Sequence, residues 1–539
     1  MKIKQSFTEL SARERAYALL DQGSARELLG PFSHLKSPHL LNQEIVAQND
    51  DGMIIMHGTF QKTDAVVIAM EGKFQGGGIG EISGAKFAAA LEMVLDENRK
   101  DHLVQPLIVM DTGGVRLQEA NLGLLAISEI QDLLVRIRDY VPVIAMIPGK
   151  VGCFGGMSMT SGLFSYLIMT REGRLTLNGP EVIEQEAGRS EWNSSDKAFT
   201  YRTIGGEHRV EQGLADVLVE DSVEDIKDAA VNCMRKGIPE HRSTMLKKYR
   251  ALIDSEAPGA LADQKAPEVS RGKIWFQALI QNSKRVEGTI DSVWCSDMML
   301  DGHKCRMLAV VPDENTVYPR TVKGEVGLQQ GWELARLIRQ VIEEDKDQPE
   351  KRAIIALVDV PSQAYGYREE YHGIFLSCAA SVNAYADARH AGHPVVTFIV
   401  GNAISGAFLA HGLQGSYMLS LDDETITVHA MSKKSAARIT KRSIADMNDA
   451  ADKVAAIAYD IHSFYRLGAV NKLLKYADHD HPTEAEVENV KGELIRGIEE
   501  SRKNGNTLAY RLKTENGADY RKLSIEVRRR MKEEWNEKV

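Results

Sequence analysis

The sequence predicts an α/β protein made of two tandem copies of one layered domain. Three observations carry that expectation. Apolar runs of strand length alternate with helical stretches of 10–20 residues. Glycine pairs punctuate the strand-to-helix junctions. The same order of punctuation occurs twice, about 250 residues apart, which is domain duplication rather than a short-period solenoid.

In the first copy a helix is expected over 8–30, with Thr8 or Ser11 at its start and Gly30-Pro31 at its stop. MIIMHGTF and AVVIAM, between 53 and 70, read as strands. Gly76-Gly77-Gly78 with Gly80 opens a helix that begins EISGAKF. PLIVMD (106–111) reads as a buried strand, 119–140 as a helix and PVIAMIP (142–148) as the next strand. Gly155-Gly156 then opens another helix. Near-continuous apolar strands alternating with helices imply a parallel sheet covered on both faces.

The second copy repeats this order. RAIIALVDVP (352–361) matches QPLIVMDTGG (105–114), and HPVVTFIVGNAISGAF (393–408) matches VPVIAMIPGKVGCFGGM (141–157). RLTLNGPEVI (174–183) is followed at a similar offset by TITVHAMSKK (425–434), and Gly213 by Gly468. Between the copies, residues 253–272 carry two prolines, small residues and charges with no sustained period, which reads as a linker. The expected domains are therefore 1–252 and 273–539.

Composition narrows the function. Of 539 residues, 43% are hydrophobic and 26% charged, and the net charge is −10. No basic field favours nucleic acid, and no apolar run is long enough to span a membrane. The N-terminus lacks the apolar core of a signal peptide. The five cysteines are scattered without a C-x-x-C pair, so neither a disulfide scaffold nor a four-cysteine zinc site is expected, and a reducing, cytoplasmic setting fits. GGGIGEISG departs from the dinucleotide fingerprint by one residue. No G-K is followed by Ser or Thr, and neither H-E-x-x-H nor G-x-S-x-G occurs.

The glycine junctions remain as the candidate chemistry. A helix start leaves backbone N–H groups unpaired and carries partial positive charge, so it can hold an anion or a developing oxyanion. In the first copy these are Asp111-Thr112-Gly113-Gly114-Val115-Arg116 and Cys153-Phe154-Gly155-Gly156-Met157; in the second, Ser405-Gly406-Ala407 and the loop from Pro361 to Gly366. The alternative is that the glycines serve only tight turns and close packing.

EGKFQGGGIGEISGAKF, PLIVMDTGGVRLQEANLG and GKVGCFGGMSMTSG resemble the carboxyltransferase branch of the crotonase-like fold, and in particular the β subunit of biotin-independent malonate decarboxylase. DVPSQAYGYREEYHGI, GNAISGAFLAHG and TVHAMSKKSAARIT resemble the γ subunit of that enzyme. The resemblance implies two tandem crotonase-like domains, a fused β–γ chain, and decarboxylation of a malonyl-S-acyl-carrier-protein to its acetyl form. It also implies an acyl group on the phosphoribosyl-dephospho-coenzyme-A arm of a separate acyl carrier protein, loaded by a separate malonate/acetyl transferase subunit. No metal or cofactor is expected on this chain. A homo-oligomer or a hetero-oligomeric complex is expected.

By the same resemblance Gly113, Gly114, Gly155 and Gly156 match the first oxyanion loops, and Gly406 and Ala407 the second. The usual P-G-F loop is replaced here by Pro361-Ser362-Gln363-Ala364-Tyr365-Gly366, which argues against a biotin site and leaves Tyr365 and Gly366 as substrate contacts. Arg116 either holds a carboxylate or phosphate or pairs with Glu119 or another surface acid. His411 either protonates the enolate or packs between the domains, and His372 shares that ambiguity. Cys153 reads as a small buried hydrophobe. Lys433, Lys434, Arg438, Lys441 and Arg442 either meet an acidic carrier or form a solvated helix face. The competing function is the carboxyltransferase of a biotin-dependent acyl-coenzyme-A carboxylase or malonate decarboxylase; a non-catalytic scaffold that docks a carrier is a third reading.

Overall fold

A computed structural model describes residues 4–254, 265–281 and 283–537. The chain forms two compact units, one of 1–245, 366–376 and 522–539, the other of 246–365 and 377–521.

The first unit is built on a seven-stranded sheet: β1 (Arg26–Leu28), β2 (Met53–Phe60), β3 (Thr63–Met70), β4 (Gln105–Val109), β5 (Ile144–Ile147), β6 (Tyr166–Thr170) and β7 (Val217–Val219), in that spatial order. β1–β2 and β2–β3 pair antiparallel; all later neighbours are parallel. The apolar runs of β4, β5 and β6 are buried at every residue, as strands covered on both faces must be. The β2–β3 turn places Gln61 and Lys62 at φ 53° and 66°. Neither residue favours that region, but Asp21 accepts both of their N–H groups at 3.2 and 2.8 Å and holds the turn.

The expected helix over 8–30 is shorter. It spans Ala12–Leu19, with a Ser11/Glu14 capping box, and stops where Leu20 turns extended. Gly23 then reverses the chain at φ 80°, and residues 26–28 enter the sheet as β1. Helices Glu81–Asn98 and Ala120–Ile137 follow the glycine cluster and β4, close to the sequence reading.

The second unit repeats the pattern with β8 (Val293–Leu300), β9 (His303–Val310), β10 (Ala353–Val360), β11 (Val395–Ile404), β12 (Tyr417–Leu421), a short β13 (Val428–His429) beside β11, and β14 (Lys472–Leu474). The order is β8-β9-β10-β11-β12-β14, antiparallel only at β8–β9. This matches β2 through β7 strand for strand, so the expected duplication of an α/β layered domain holds. The matched glycines Gly213 and Gly468 turn the chain at φ 67° and 85° just before β7 and β14.

The unit boundaries differ from the expected 1–252 and 273–539. Helix Leu246–Asp254 packs in the second unit, where Tyr249 stacks on Trp332 at 5.7 Å and Arg250 bonds Glu333 at 2.9 Å. The terminal helix Lys522–Asn536 packs in the first. Ser524 N donates to Glu81 at 3.0 Å, Arg528 reaches Glu92 and Glu129 at 3.1 and 2.6 Å, and Trp535 stacks on His57 at 4.4 Å. Half of the expected linker, 255–264, lies outside the described residues.

Candidate active site at the glycine turns

In the first unit, three segments beyond the carboxyl ends of β4, β5 and β6 continue the sheet as single bridges, Thr112 with Cys153 and Cys153 with Leu175. Asp111 fixes the middle segment. Its Oδ1 accepts Val151 N–H at 2.8 Å and Gly152 N–H at 3.2 Å, while its Oδ2 takes Arg15 at 3.0 Å. Burial pushes this carboxyl up, against the pull of Arg15 and the two N–H groups. Asp359, near the end of β10, accepts Asn402 N–H at 3.1 Å within β11 and Gly272 N–H at 3.1 Å at the start of helix Arg271–Ile280. Asp111 and Asp359 thus each hold two backbone N–H groups, but only Asp111 holds a turn.

The glycines require their identity here. Gly114 sits at φ 99°, and a Cβ on it would lie 2.8 Å from Phe154 O and 3.1 Å from Gly155 Cα. Gly155, at φ 58°, begins helix Gly155–Ser161. Three of the four expected N–H donors are engaged within the fold. Gly113 donates to Gly76 O at 2.8 Å, Gly155 to Leu177 O at 3.1 Å, and Gly114 to Thr112 Oγ1 at 3.0 Å. Gly156 N–H and the adjoining Met157 N–H have no acceptor among the described residues. Gly113 is exposed and Phe154 and Gly155 are half-buried, so solvent reaches this turn.

In the second unit β11 runs into Ser405, which adopts φ 60° and starts helix Ser405–Ala410. Gly406 N–H donates to Gln363 Oε1 at 3.0 Å, while Ala407 N–H has no acceptor among the described residues. Gln363 belongs to the loop that departs from P-G-F, and that loop bridges Val326 alongside. The altered loop therefore caps the second glycine turn.

Two expected site residues are structural. Arg116 is 2% exposed. Its Nη1 meets Asp51 Oδ1 and Glu119 Oε2, each at 2.7 Å, and its Nη2 meets Asp51 O at 3.1 Å. The Glu119 pairing is the correct alternative, and the guanidinium is closed to substrate. His411 is fully buried, with Nδ1 on Tyr385 Oη and Nε2 on Leu357 O, both at 2.9 Å. Burial pushes its pKa down to about 4, so the ring is neutral, and its one N–H is donated from Nε2 to Leu357 O, closed to an enolate. It packs within the second unit, on Tyr385 and Leu357, which is neither of the two expected roles.

Tyr365 is half-buried on its loop. Gly366 caps helix Tyr367–Tyr371 in extended backbone, and a Cβ there would collide with the Glu369 carboxylate. His372 ends the same helix, against the Tyr371 ring. Cys153 is buried and its thiol pushed up, as a small hydrophobe would be. Lys434, Arg438 and Lys441 are exposed on and after helix Lys433–Thr440. Among the described residues no cluster of three or more His, Cys, Asp or Glu could hold a metal, and no helix is long and apolar enough to cross a membrane.

The sequence placed Met157, Gln363 and Ser405 in its candidate junctions but gave none of them a role of its own. Met157 adds a backbone donor, which no side chain announces. Gln363 lay in the altered loop, and its departure from P-G-F was the available signal.

Comparison with known proteins matches the two halves of the chain to two different family descriptions. Residues 6–251 match the carboxyl transferase domain, and 321–535 match the malonate decarboxylase gamma subunit. The malonyl-S-ACP:biotin-protein carboxyltransferase MADC of Malonomonas rubra is 41% identical over 246 residues, 44% of this chain and 77% of that protein. MADD of the same organism, described by the same activity, is 38% identical over 167 residues, 30% of this chain and 57% of that protein. A Pseudomonas malonate decarboxylase hetero-tetramer, solved in complex with coenzyme A, has a chain 44% identical, covering 49% of this chain and all of that one, with a TM-score of 0.48.

Proposed function

Because this chain belongs to the malonate decarboxylase family, with a carboxyltransferase-type half followed by a γ-type half, we propose that it is the decarboxylase component, converting malonyl-S-acyl-carrier-protein to acetyl-S-acyl-carrier-protein and carbon dioxide. The bond between C2 and the carboxylate carbon breaks. Its electron pair moves into the C1–C2 bond, negative charge collects on the thioester oxygen, and carbon dioxide departs. The thioester carbonyl is the electron sink. The protein must therefore stabilise one oxyanion, orient the carboxylate out of the enolate plane, and let C2 take a proton.

One observation carries this reading. The Gly155–Gly156 turn leaves the N–H groups of Gly156 and Met157 without an acceptor among the described residues at a solvent-accessible strand-to-helix junction, while every neighbouring glycine N–H is engaged in holding it. Donors fixed before reaction act on charge that develops only in the transition state, and one of them contributes roughly 3–4 kcal/mol. With His411 sealed in the core, C2 takes its proton from water entering beside exposed Gly113. Ala407 N–H, freed by the Gln363 cap on Gly406, is the corresponding donor of the second turn.

The malonyl group arrives on the phosphoribosyl-dephospho-coenzyme-A arm of an acyl carrier protein, loaded by a malonate/acetyl transferase subunit, within a cytoplasmic oligomeric complex. Five free, buried cysteines suit that compartment. A second reading, carboxyl transfer to a biotin protein, is favoured by the described activity of MADC and MADD. The test is release of carbon dioxide from malonyl-loaded carrier with and without avidin. Release that avidin does not alter supports the decarboxylase; release that requires a biotin protein and is blocked by avidin overturns it in favour of the second reading.

A further inference from the structure

We infer that Glu370 is a positioning residue for the Gly155–Gly156 turn: a buried carboxylate that fixes the outer segment against which the donor turn is hung. This deepens the proposed decarboxylase and rests on that reading. Glu370 lies on helix Tyr367–Tyr371 and is fully buried. One carboxylate oxygen accepts Asn178 N–H at 2.6 Å and the other accepts Leu177 N–H at 3.1 Å. Leu177 in turn offers its carbonyl to Gly155 N–H at 3.1 Å. A single peptide segment therefore joins the carboxylate to the first residue of the donor turn.

The rest of the segment is tied in the same sense. Thr176 N–H donates to Cys153 O at 3.1 Å, and Cys153 N–H to Arg174 O at 2.8 Å. Arg209, fully buried, donates to Leu175 O and to Glu370 O, each at 2.8 Å, with its other amino group 3.9 Å from the Glu370 carboxylate. Two adjacent N–H groups converging on one carboxylate fix the orientation of the peptide between them. Two N–H groups on a neutral amide would leave only one oxygen to accept, and the amide NH2 would face a donor. The charge of Glu370 is thus tied to where Gly156 and Met157 point, though Glu370 itself touches no substrate.

The test compares the full chain with Glu370→Gln and Glu370→Asp. Three quantities are read: kcat and KM for carbon dioxide release from malonyl-loaded carrier, thermal midpoint, and amide hydrogen exchange over 153–158 and 175–179. A core variant outside the site, Ile226→Val, serves as the stability control; Ile226 is 1% exposed beneath the first sheet. The expected result is a kcat at least tenfold lower in Glu370→Gln, with KM within about twofold and faster exchange at both segments, and partial recovery in Glu370→Asp. Unchanged kcat in a folded Glu370→Gln protein overturns the inference. So does a kcat loss that Ile226→Val reproduces at an equal thermal midpoint. If the wild-type chain itself releases no carbon dioxide, the decarboxylase reading fails. Exchange then decides the positioning role alone, and unaltered protection at 153–158 overturns it.

Discussion

Replacing Gly156 by proline deletes one N–H and nothing else that the fold uses. That N–H has no acceptor among the described residues, so no structural hydrogen bond is lost. Gly156 is the second residue of helix Gly155–Ser161, where a proline ring is tolerated in the first turn and its fixed φ suits the helix. The strain falls on Gly155, held at φ 58° ahead of the new proline. One lost oxyanion donor costs roughly 3–4 kcal/mol in the transition state, which is about a hundred- to a thousandfold in kcat. KM for malonyl-loaded carrier stays near the wild-type value, because the enolate charge is absent in the ground state. Two comparisons isolate the donor. Gly156→Ala keeps the N–H. Gly113→Ala alters a glycine whose N–H already bonds Gly76 O and whose added methyl meets nothing closer than 3.5 Å, so its turnover should stay within a few-fold of normal. Carbon dioxide release and thermal midpoint are measured side by side. A folded Gly156→Pro protein with normal kcat would falsify the donor role and leave the turn as packing.

Other expectations concern the residues reassigned to structure. Arg116→Met strands the buried carboxylates of Asp51 and Glu119 and should cost about 3–5 kcal/mol in chemical denaturation; intact stability with a raised KM would return Arg116 to substrate binding. His411, at about 4 when folded against an ordinary 6.5, stays neutral in the native state while the unfolded chain takes up a proton below 6.5. Its contribution is complete above pH 6.5 and is lost as pH falls toward 4, at about 1.4 kcal/mol per pH unit. His411→Gln should flatten stability-versus-pH over that window by this slope, and an identical slope in the variant would show that the ring is protonated when folded. Arg528→Ala leaves Glu129, 9% exposed at its side chain, without its 2.6 Å partner. It should lower the thermal midpoint by several degrees; no change would mean that Arg528 adds nothing to the hold of the terminal helix.

Strand positions and the duplication were legible because they rest on period and punctuation. PLIVMD and RAIIALVDV are too apolar for anything but buried strands, and both lie where expected, at β4 and β10. The glycine pairs were legible as turns, since φ 99° at Gly114 and 58° at Gly155 exclude most side chains. Which N–H remains open was not legible. It depends on acceptors such as Gly76 O and Leu177 O, backbone atoms that any residue supplies. His411 and Arg116 failed as site residues for a related reason. Their chemistry suited the reaction, but burial and partners at 2.7–2.9 Å decide their use, and Asp51 and Tyr385 lie 65 and 26 positions away in sequence. Glu370 stood inside a motif assigned to the second half, so nothing local linked it to Leu177.

The terminal helix Lys522–Asn536 gives the chain an unusual connectivity. Because it and residues 366–376 fold with the N-terminal 245 residues, the polypeptide passes between the two units four times, and both of its ends belong to the same one. The second unit enters the first as two insertions, 246–365 and 377–521, and is not a successor to it. A single nick at 255–264 would leave each fragment holding part of the first unit, so the pieces should stay associated until that unit unfolds. A chain divided there into two genes would rebuild the first unit only by complementation, with Glu370 and Arg528 arriving from the other polypeptide. In that arrangement a free N-terminal product lacks the carboxylate that orients Leu177 and Asn178, and activity becomes conditional on assembly.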